Sequence, residues 1–358
     1  MSFHSFSRLA GTASLVAAAL LGSLVSTAAH AVVSPPPAFT SLTIFGDSLS
    51  DTGNTQALYA GFGFAVPDPM QPYFGGRFSN GLIWTELLAT GLGLPGAAAP
   101  LHLGGSNYAY GGARTGGAAP SMANPIPGVL FQTQSMWGAS HPGLTGADAS
   151  GLYVVVAGGN DMRDARTAAP GNSALENSFR QLSAEAAVAN LKSSLGILAS
   201  RGAKNVLISN LPNLGQTPEA VGLGVVAAST DATNRFNLLM PSLMGYGSSL
   251  GLTMSFLDMA GAAQAVRANP LAYGILNLNA PCNGFFGSPN IAETACPVSF
   301  FSDALHPSAR ANQIIAGAAF DALGVTPVPE PQTVALMLAG LLLVGGVARR
   351  RAAAAAAA

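Results

Sequence analysis

Ser48 has the residue type and the sequence setting of a candidate nucleophile. It stands in Gly46-Asp47-Ser48-Leu49, directly after the apolar run Leu42 to Phe45, which is typical of a β-strand. Gly46 would let the chain turn sharply at the strand end, and Ser48 would then begin a helix whose backbone N–H groups favour negative charge. A serine in that position can attack a carbonyl carbon. The alternative is a strand-end turn in which Ser48 is an ordinary helix N-cap.

His306 is the candidate general base. Among His102, His141 and His306, the histidines that follow residue 31, only His306 has a carboxylate three residues before it, that of Asp303. This spacing lets Asp303 accept a hydrogen bond from the imidazole and fix its tautomer. Pro307 is expected to open a helix from Ala309 to Leu323. Taken by itself, the Asp-x-x-His pattern is more typical of a helix-start cap than of a catalytic pair.

Two glycine-containing segments could supply hydrogen bonds to a developing oxyanion. Gly111 and Gly112 follow the short run Asn107 to Tyr110, and paired glycines after a strand bring a backbone N–H close to a ligand. Asn160 follows the strand-like run Tyr153 to Ala157, and an Asn amide at a strand end can donate to an oxyanion. Ordinary turns at both segments remain the alternatives.

Strand-like and helical patterns alternate along residues 38–325, which contain no internal repeat and no obvious linker. The candidate strands and helices are Leu42 to Phe45, Asn107 to Tyr110 (the weakest), Tyr153 to Ala157, Ser183 to Arg201, Val206 to Ser209, Thr230 to Leu243 and Thr253 to Leu257. This alternation predicts a single α/β domain whose parallel sheet is covered on both faces. Functional groups of such sheets gather at the carboxyl ends of the strands.

The charge content excludes several other functions. Only 9% of the residues are Asp, Glu, Lys or Arg, with 15 basic against 16 acidic side chains, so the basic surface of a nucleic-acid binder is missing. Metal binding is not expected, because the histidines are scattered and no Asp/Glu cluster joins them. No cofactor is expected either. The 49% of hydrophobic residues can bury a large core.

Together, the four segments resemble, in order, the motifs of the GDSL or SGNH hydrolase family. The resemblance implies that Ser48 is the nucleophile and that His306 and Asp303 complete the catalytic set. It implies an oxyanion hole formed by the Ser48 N–H, the Asn160 amide and Gly112, with Gly111 as the alternative glycine. The family's fold is a three-layer α/β/α sandwich around a five-stranded parallel sheet of flavodoxin-like order. Two segments further resemble the long-chain branch that contains plant GDSL lipases, secreted phospholipase-like haemolysins and autotransporter esterases: Gly76-Arg77-Phe78-Ser79-Asn80-Gly81 and Asn107-Tyr108-Ala109.

The implied function is a secreted or surface-sorted serine esterase or lipase, which hydrolyses carboxylic esters, lipids among them, through an acyl-serine intermediate. If an alcohol replaced water, the chain would be a transferase. The alternatives are an O-acetylesterase or acyltransferase on exopolysaccharide, and a non-catalytic surface structural protein on the same scaffold. A second serine motif, Gly247-Ser248-Ser249-Leu250-Gly251, precedes a strand instead of following one and so lacks a nucleophile elbow. Nine residues could line an acyl pocket, although residues of these types more often form ordinary core: Phe62, Phe64, Phe74, Met122, Phe131, Met136, Met162, Met240 and Met244.

Residues 1–31 have the order of features of a signal peptide. Arg8 precedes an apolar core, and Ala29-His30-Ala31 has the form of a signal-peptidase site. Export is therefore expected, with signal peptidase as a partner. An exported chain permits disulfides. Because Cys282 and Cys296 are an even pair that frames a Gly/Pro/Asn-rich loop, we expect them to be joined.

The tail, residues 328–351, contains Pro329-Glu330-Pro331, an apolar run over residues 333–348 and three arginines. It resembles the PEP-CTERM sorting signal of Gram-negative bacteria. The resemblance implies transient anchoring through a transmembrane segment at residues 333–348, cleavage by an exosortase-type protease, and a final place at the cell surface or outside the cell. An ordinary tail anchor is the alternative.

Overall fold

The structure is a computed structural model that describes residues 39–67, 73–141, 143, 146–282 and 296–327, with a few separate residues between 340 and 348. The predicted signal peptide lies outside the described residues, as does most of the predicted sorting tail with its transmembrane segment. Within the described part of the chain, no helix is both long enough and apolar enough to cross a membrane.

The central sheet of the described residues is parallel and runs in chain order: β1 (Leu42–Gly46), β2 (Leu152–Val156), β3 (Asn205–Ser209) and β4 (Thr253–Leu257). Residues 106–110 lie beside β1, where the Tyr108 N–H donates to the Ile44 carbonyl at 2.7 Å. With this segment included, the order is the flavodoxin-like one that was expected. The expected fifth strand is reduced to this short pairing, because the chain turns back at once through a 3.0 Å bond from the Ala113 N–H to the Tyr110 carbonyl.

Helices connect and cover the strands. The α-helices of the described residues are α1 (Asn54–Ala60), α2 (Trp84–Gly91), α3 (Gly159–Ala168), α4 (Ala174–Ser200), α5 (Pro218–Gly222), α6 (Val226–Leu238), α7 (Met240–Ser249), α8 (Met259–Ala268) and α9 (Ala309–Leu323). A further helical segment at residues 129–140 has a π-helical centre, Gln132–Trp137, and short 3-10 turns occur at Pro95–Ala98, Leu101–Leu103, Leu214–Gln216, Pro270–Tyr273 and Cys296–Val298.

The helix bounds differ from the prediction at two places. The pattern predicted from Ser183 belongs to α4, which begins at Ala174 because Ser173 and Glu176 form a capping box. The pattern predicted over residues 230–243 is divided into α6 and α7. Pro241 stands at the start of α7, and a proline lacks the N–H that would continue the preceding helix.

Side chains alternate between the two faces of the sheet, so each face has its own core. In β2, Tyr153 and Val155 pack in the cluster with α4, α6 and α7, whereas Val154 and Val156 pack in the cluster with α2, α8 and α9. Strands with both faces buried are typical of parallel sheets. The predicted three-layer α/β/α architecture is therefore confirmed.

A small second sheet leads into the site. Its strands β5 (Asn277–Pro281) and β6 (Ser299–Phe301) pair in parallel. Cys282, directly after β5, is bonded to Cys296 just before β6, so the predicted disulfide is confirmed. Residues 283–295 lie outside the described residues. Because β6 ends two residues before Asp303, this cross-linked sheet anchors one side of the candidate site.

Candidate active site

Ser48, His306 and Asp303 form a continuous hydrogen-bonded chain. Ser48 Oγ lies 2.8 Å from His306 Nε2, and His306 Nδ1 lies 2.6 Å from Asp303 Oδ2. Ser48 is 8% exposed and His306 is 9% exposed, so both are largely shielded from solvent. In this arrangement an imidazole oriented by a carboxylate can take the proton of a serine hydroxyl.

The turn that presents Ser48 is held by Gly46 and Gln132. The Gly46 N–H donates to Gln132 Oε1, and Gln132 Nε2 donates to the Gly46 carbonyl, both at 2.9 Å. A Cβ at position 46 would lie 2.7 Å from the carbonyl oxygen of Val156 on β2. Close packing of the two strand ends, rather than the expected freedom to turn, therefore requires glycine here.

Ser48 does not begin a helix, so that prediction was wrong. Residues 47–50 form a turn, and α1 begins only at Asn54. The start of α1 is capped by Asp51, whose Oδ1 accepts from the N–H groups of Gly53 and Asn54 at 2.8 and 2.7 Å. The positive end of the helix dipole therefore acts on Asp51 and not on Ser48.

Contacts with Asp51 also show which of Gly111 and Gly112 has a backbone N–H available for a ligand. Asp51 Oδ2 accepts from the Gly111 N–H at 2.9 Å, and Thr55 Oγ1 accepts from the same N–H at 2.6 Å. Asp51 is fully buried, and this burial raises its pKa. Gly112 follows with a φ of 83°. Among the described residues neither the Gly112 N–H nor the Ser48 N–H donates a hydrogen bond, so both can serve a ligand.

Asn160 lies in the first turn of α3, beyond the carboxyl end of β2. Its Nδ2 donates to the Ala113 carbonyl at 3.0 Å, and its Oδ1 accepts from Arg163 Nη1 at 3.0 Å. An amide nitrogen carries two hydrogens, so one N–H remains after the bond to Ala113. Asn160 lines the same cleft as Ser48 and Gly112. All residues of the predicted catalytic set and oxyanion hole are thus brought to one place.

The environment of Asp303 keeps it ionised. Burial by itself would raise the pKa of Asp303, but the facing His306 ring and the hydrogen bonds from its Nδ1 and backbone N–H outweigh burial, and the pKa lies at about 2. For Asp47, in contrast, burial outweighs the effects that lower the pKa. Asp47 is buried beside Ser48, and desolvation raises its pKa to about 6.

The Gly76–Gly81 motif packs against the loop that carries His306. The Phe78 ring centroid lies 5.1 Å from that of His306. Ser79 Oγ donates to the Pro307 carbonyl at 2.9 Å, and Asn80 Oδ1 accepts from the Ala309 N–H, also at 2.9 Å. This motif therefore holds the His306 loop and the start of α9 in position.

Two clefts meet at Ser48. Ser48, Asn160, Arg163, Leu305 and His306 line both of them. The first, called the enclosed cleft below because it is narrower and less open than the second, is mainly apolar. Its walls include Leu211, Leu214, Met259, Ala263, Val266, Phe300, Ile314 and Ile315. The second is wide and more open, and its walls include Tyr59, Tyr73, Phe78, Gly112, Arg114 and Glu219. The arrangement gives the two sides of the serine different surroundings.

The nine Met and Phe residues that could line an acyl pocket, or more often form ordinary core, lie away from the enclosed cleft. Met162 and Met240 belong to the core, whereas Phe62, Phe64, Phe74 and Met122 are exposed. Apolar side chains occur throughout the chain, so residue type alone does not indicate which of them face a cleft.

Ser249 is excluded as the nucleophile by its position. It is the last residue of α7, and its Oγ donates to the Tyr246 carbonyl at 2.7 Å on the exposed side of the helix. No strand-to-helix turn presents it, as was expected from the sequence.

Fold and site together define an α/β protein with a serine, a histidine and an aspartate joined at the carboxyl edge of a parallel sheet. The family model described as GDSL-like Lipase/Acylhydrolase matches residues 42–319, and the chain belongs to that family of ester-hydrolysing enzymes. A model described as the PEP-CTERM protein-sorting motif matches residues 327–352. Both resemblances seen in the sequence are confirmed.

The chain aligns with bacterial and plant relatives. It is 28% identical to the phosphatidylcholine-sterol acyltransferase of Aeromonas hydrophila over 69% of this chain and 67% of that protein. It is 28% identical to esterase EstA of Pseudomonas aeruginosa over 88% of this chain but only 52% of that protein, so it spans about half the length of that relative. A GDSL esterase/lipase of Arabidopsis thaliana is 26% identical over 80% of this chain and 90% of that protein. Among solved structures, a carbohydrate acetylesterase from Sinorhizobium meliloti aligns with a TM-score of 0.42 and 14% identity, over 79% of this chain and 98% of that one.

Proposed function

We propose that the chain is a serine esterase or lipase in which Ser48 is the nucleophile, His306 the general base and Asp303 the residue that orients it. The observation that carries the proposal is the hydrogen-bonded chain from Ser48 Oγ to His306 Nε2 and from His306 Nδ1 to Asp303, with distances of 2.8 and 2.6 Å. Each contact has the length that proton transfer requires.

The reaction has two halves. Ser48 Oγ attacks the ester carbonyl carbon while His306 Nε2 takes the hydroxyl proton, and the tetrahedral intermediate collapses when His306 gives that proton to the leaving alcohol. A water molecule then attacks the acyl-serine, gives its proton to His306, and releases the acid as the proton returns to Ser48. Asp303, with its pKa of about 2, stays ionised and stabilises the imidazolium in both halves.

The oxyanion is held by the N–H groups of Ser48 and Gly112 and by the remaining amide N–H of Asn160. This choice is supported because neither backbone N–H donates a hydrogen bond among the described residues. The Gly111 N–H is already bonded to Asp51 and Thr55, which argues for Gly112 over Gly111. Each donor of this kind stabilises a transition state by about 3 kcal/mol.

The acyl chain enters the enclosed cleft, and the alcohol portion occupies the open one. The apolar walls support this division, because alkyl chains leave water for apolar surroundings whereas alcohol portions carry polar groups. The proposed substrates are therefore esters of apolar acyl chains, lipids among them.

The test is hydrolysis of p-nitrophenyl esters by the wild type, by Ser48→Ala and by Ser249→Ala as the matched control. We expect Ser48→Ala to lose activity by at least about a thousandfold, with an unchanged circular dichroism spectrum, and Ser249→Ala to equal the wild type. Activity that survives in Ser48→Ala would overturn the proposal. A non-catalytic surface protein would show no hydrolysis in any of the three.

A second candidate function is acyl transfer to an alcohol. The width of the open cleft favours it, since an acceptor could occupy this cleft once the first alcohol has left, and one relative bears the name of an acyltransferase. Mass spectrometry of products formed in the presence of glycerol or a sterol distinguishes the two functions. Ester products in excess of free acid would make the chain a transferase.

The proposal extends to location. The match to the sorting motif over residues 327–352 supports export by way of a signal peptide, cleavage by an exosortase-type protease and arrival at the cell surface or outside the cell. Intact-mass analysis of surface material should then give a chain that ends near residues 328–332, within the Pro-Glu-Pro motif. Recovery of only full-length chain in the inner membrane would contradict this.

A further inference from the structure

Arg163 connects the candidate oxyanion amide to a partly buried acid, Glu219. Its Nη1 donates to Asn160 Oδ1 at 3.0 Å, and its Nε donates to Glu219 Oε2, also at 3.0 Å. Asn160 and Arg163 are three residues apart on α3, so their side chains lie on the same face of the helix. The planar guanidinium fork bonds both partners at once, which a lysine ammonium cannot reproduce with the same geometry.

The Asn160 amide is therefore fixed at both ends. The guanidinium holds its oxygen, and the Ala113 carbonyl holds one of its two N–H groups at 3.0 Å. A flipped amide would place its NH₂ group against the guanidinium and would turn its oxygen toward the developing oxyanion. Both contacts would be repulsive, so the bond from Arg163 selects the orientation in which the second N–H faces the cleft.

Glu219 links this arrangement to the other half of the site. It stands at the start of α5, where its backbone N–H donates to the Ala304 carbonyl at 2.8 Å. Ala304 directly follows Asp303. The Glu219 carboxylate is also paired with the buried guanidinium of Arg166, which donates to Ser229 Oγ at 3.0 Å. Glu219 thus touches the network of Asn160 on one side and the loop of Asp303 and His306 on the other.

We propose that Arg163 and Glu219 are positioning residues. They hold the Asn160 amide toward the oxyanion and fix its position relative to the loop that carries Asp303 and His306. The inference rests on the proposed function, because it needs Asn160 to act on an oxyanion. A charge-assisted bond to the amide oxygen also polarises the amide, so the N–H that faces the substrate becomes a stronger donor. This benefit acts in the transition state, where the oxygen carries its charge, and not on the bound ester.

The test is a double-mutant cycle between Arg163→Met and Asn160→Ala, with kcat and KM measured on p-nitrophenyl butyrate. We expect Arg163→Met to lower kcat by roughly tenfold to a hundredfold with KM changed by less than about threefold. A misplaced Asn160 amide would stabilise the oxyanion less than a well-placed one, but more than no amide at all. In the Asn160→Ala background the same change should lower kcat by less than about threefold. Independent, multiplying effects would overturn the proposal.

Three further variants separate positioning from folding and from charge. Glu219→Gln should lower kcat in the same direction as Arg163→Met. Arg163→Lys keeps the charge without the fork, so a kcat equal to that of the wild type would contradict positioning. Arg235→Met is the control, since Arg235 pairs with Asp231 within α6, outside both clefts, and this variant should keep kcat. If Ser48→Ala retains activity, the proposed function fails; if Ser48→Ala is inactive but Arg163→Met has wild-type kcat, only the positioning role fails.

Discussion

The Tyr73 hydroxyl donates a 2.7 Å hydrogen bond to Oδ2 of Asp303, the same oxygen that lies 2.6 Å from His306 Nδ1. The second oxygen, Oδ1, accepts from the backbone N–H groups of Leu305 and His306 at 2.7 and 2.6 Å. Both carboxylate oxygens are therefore held on two sides. Tyr73 comes from a part of the chain 230 residues away, so the orientation of His306 depends on contacts between distant segments.

Tyr73→Phe tests the contribution of this hydroxyl. We expect kcat to fall by about threefold to tenfold with little change in KM, because one hydrogen bond to a charged group contributes roughly 1.5 kcal/mol while His306 and the backbone still hold Asp303. Tyr246→Phe, on α7 and outside both clefts, is the matched control for loss of a tyrosine hydroxyl. A loss of a thousandfold or more would mean that Asp303 itself is displaced, against this account.

Asp47 predicts a specific pH dependence of stability. Its pKa is raised from 3.8 to about 6 by burial, so between these values the folded chain holds a proton that the unfolded chain has released, and the free energy of unfolding falls as pH rises. A shift of about two pKa units corresponds to roughly 3 kcal/mol. Asp47→Asn keeps an acceptor for the Leu49 N–H but cannot ionise, so its free energy of unfolding should not fall in this way as pH rises. We expect its Tm to exceed that of the wild type by about 5 °C near pH 8 and by much less near pH 4; parallel Tm profiles would contradict the prediction.

The Cys282–Cys296 bridge closes a loop of 14 residue steps beside Asp303 and His306. A loop of this size corresponds to about 3 kcal/mol of chain entropy, so the Cys282→Ser/Cys296→Ser variant should lose roughly 5–10 °C in Tm. Because β6 of the bridged sheet ends two residues before Asp303, we also expect kcat to fall more than KM rises. Reduction of the wild type should reproduce both effects and leave the double variant unchanged. A double variant with wild-type Tm and kcat would show that other contacts hold the loop.

Ala263 tests the division of the substrate between the two clefts. It is buried on α8 in the wall of the enclosed cleft, and a phenylalanine there would fill space that an acyl chain needs. Ala263→Phe should lower kcat/KM by at least about tenfold for p-nitrophenyl palmitate and leave p-nitrophenyl acetate nearly unchanged. Ala265→Phe, on the exposed side of the same helix, is the control and should keep the wild-type profile. Equal losses for both esters would indicate a general distortion.

Much of the fold and of the candidate site can be predicted from the sequence, because the patterns that indicate them lie within short segments of the chain. The strands at residues 42, 153, 206 and 253 are short apolar runs, and each appears within one residue of the expected start. The segments with Ser48, Asn160 and His306 are also local, and a parallel sheet brings the ends of its strands to one edge.

The remaining features depend on contacts between distant residues, which have no local signal. The bonds from Tyr73 to Asp303 and from Arg163 to Glu219 join positions 230 and 56 residues apart. Gly-Asp-Ser suits a helix start as well as a turn, and the bonds from the Gly53 and Asn54 N–H groups to Asp51, which place the helix start at Asn54, require the folded chain. The Gly76–Gly81 motif was noticed as a family feature, but its packing on the His306 loop requires the folded chain.

The most direct test of the central claim is intact-mass analysis after treatment with a fluorophosphonate probe, which phosphonylates only an activated serine. The wild type should gain one adduct, mapped by peptide digestion to Ser48. Ser48→Ala should gain none, and His306→Ala should react far more slowly because its serine has no base. An adduct at another serine, or no adduct on folded wild-type protein, would contradict the assignment of Ser48 as the nucleophile.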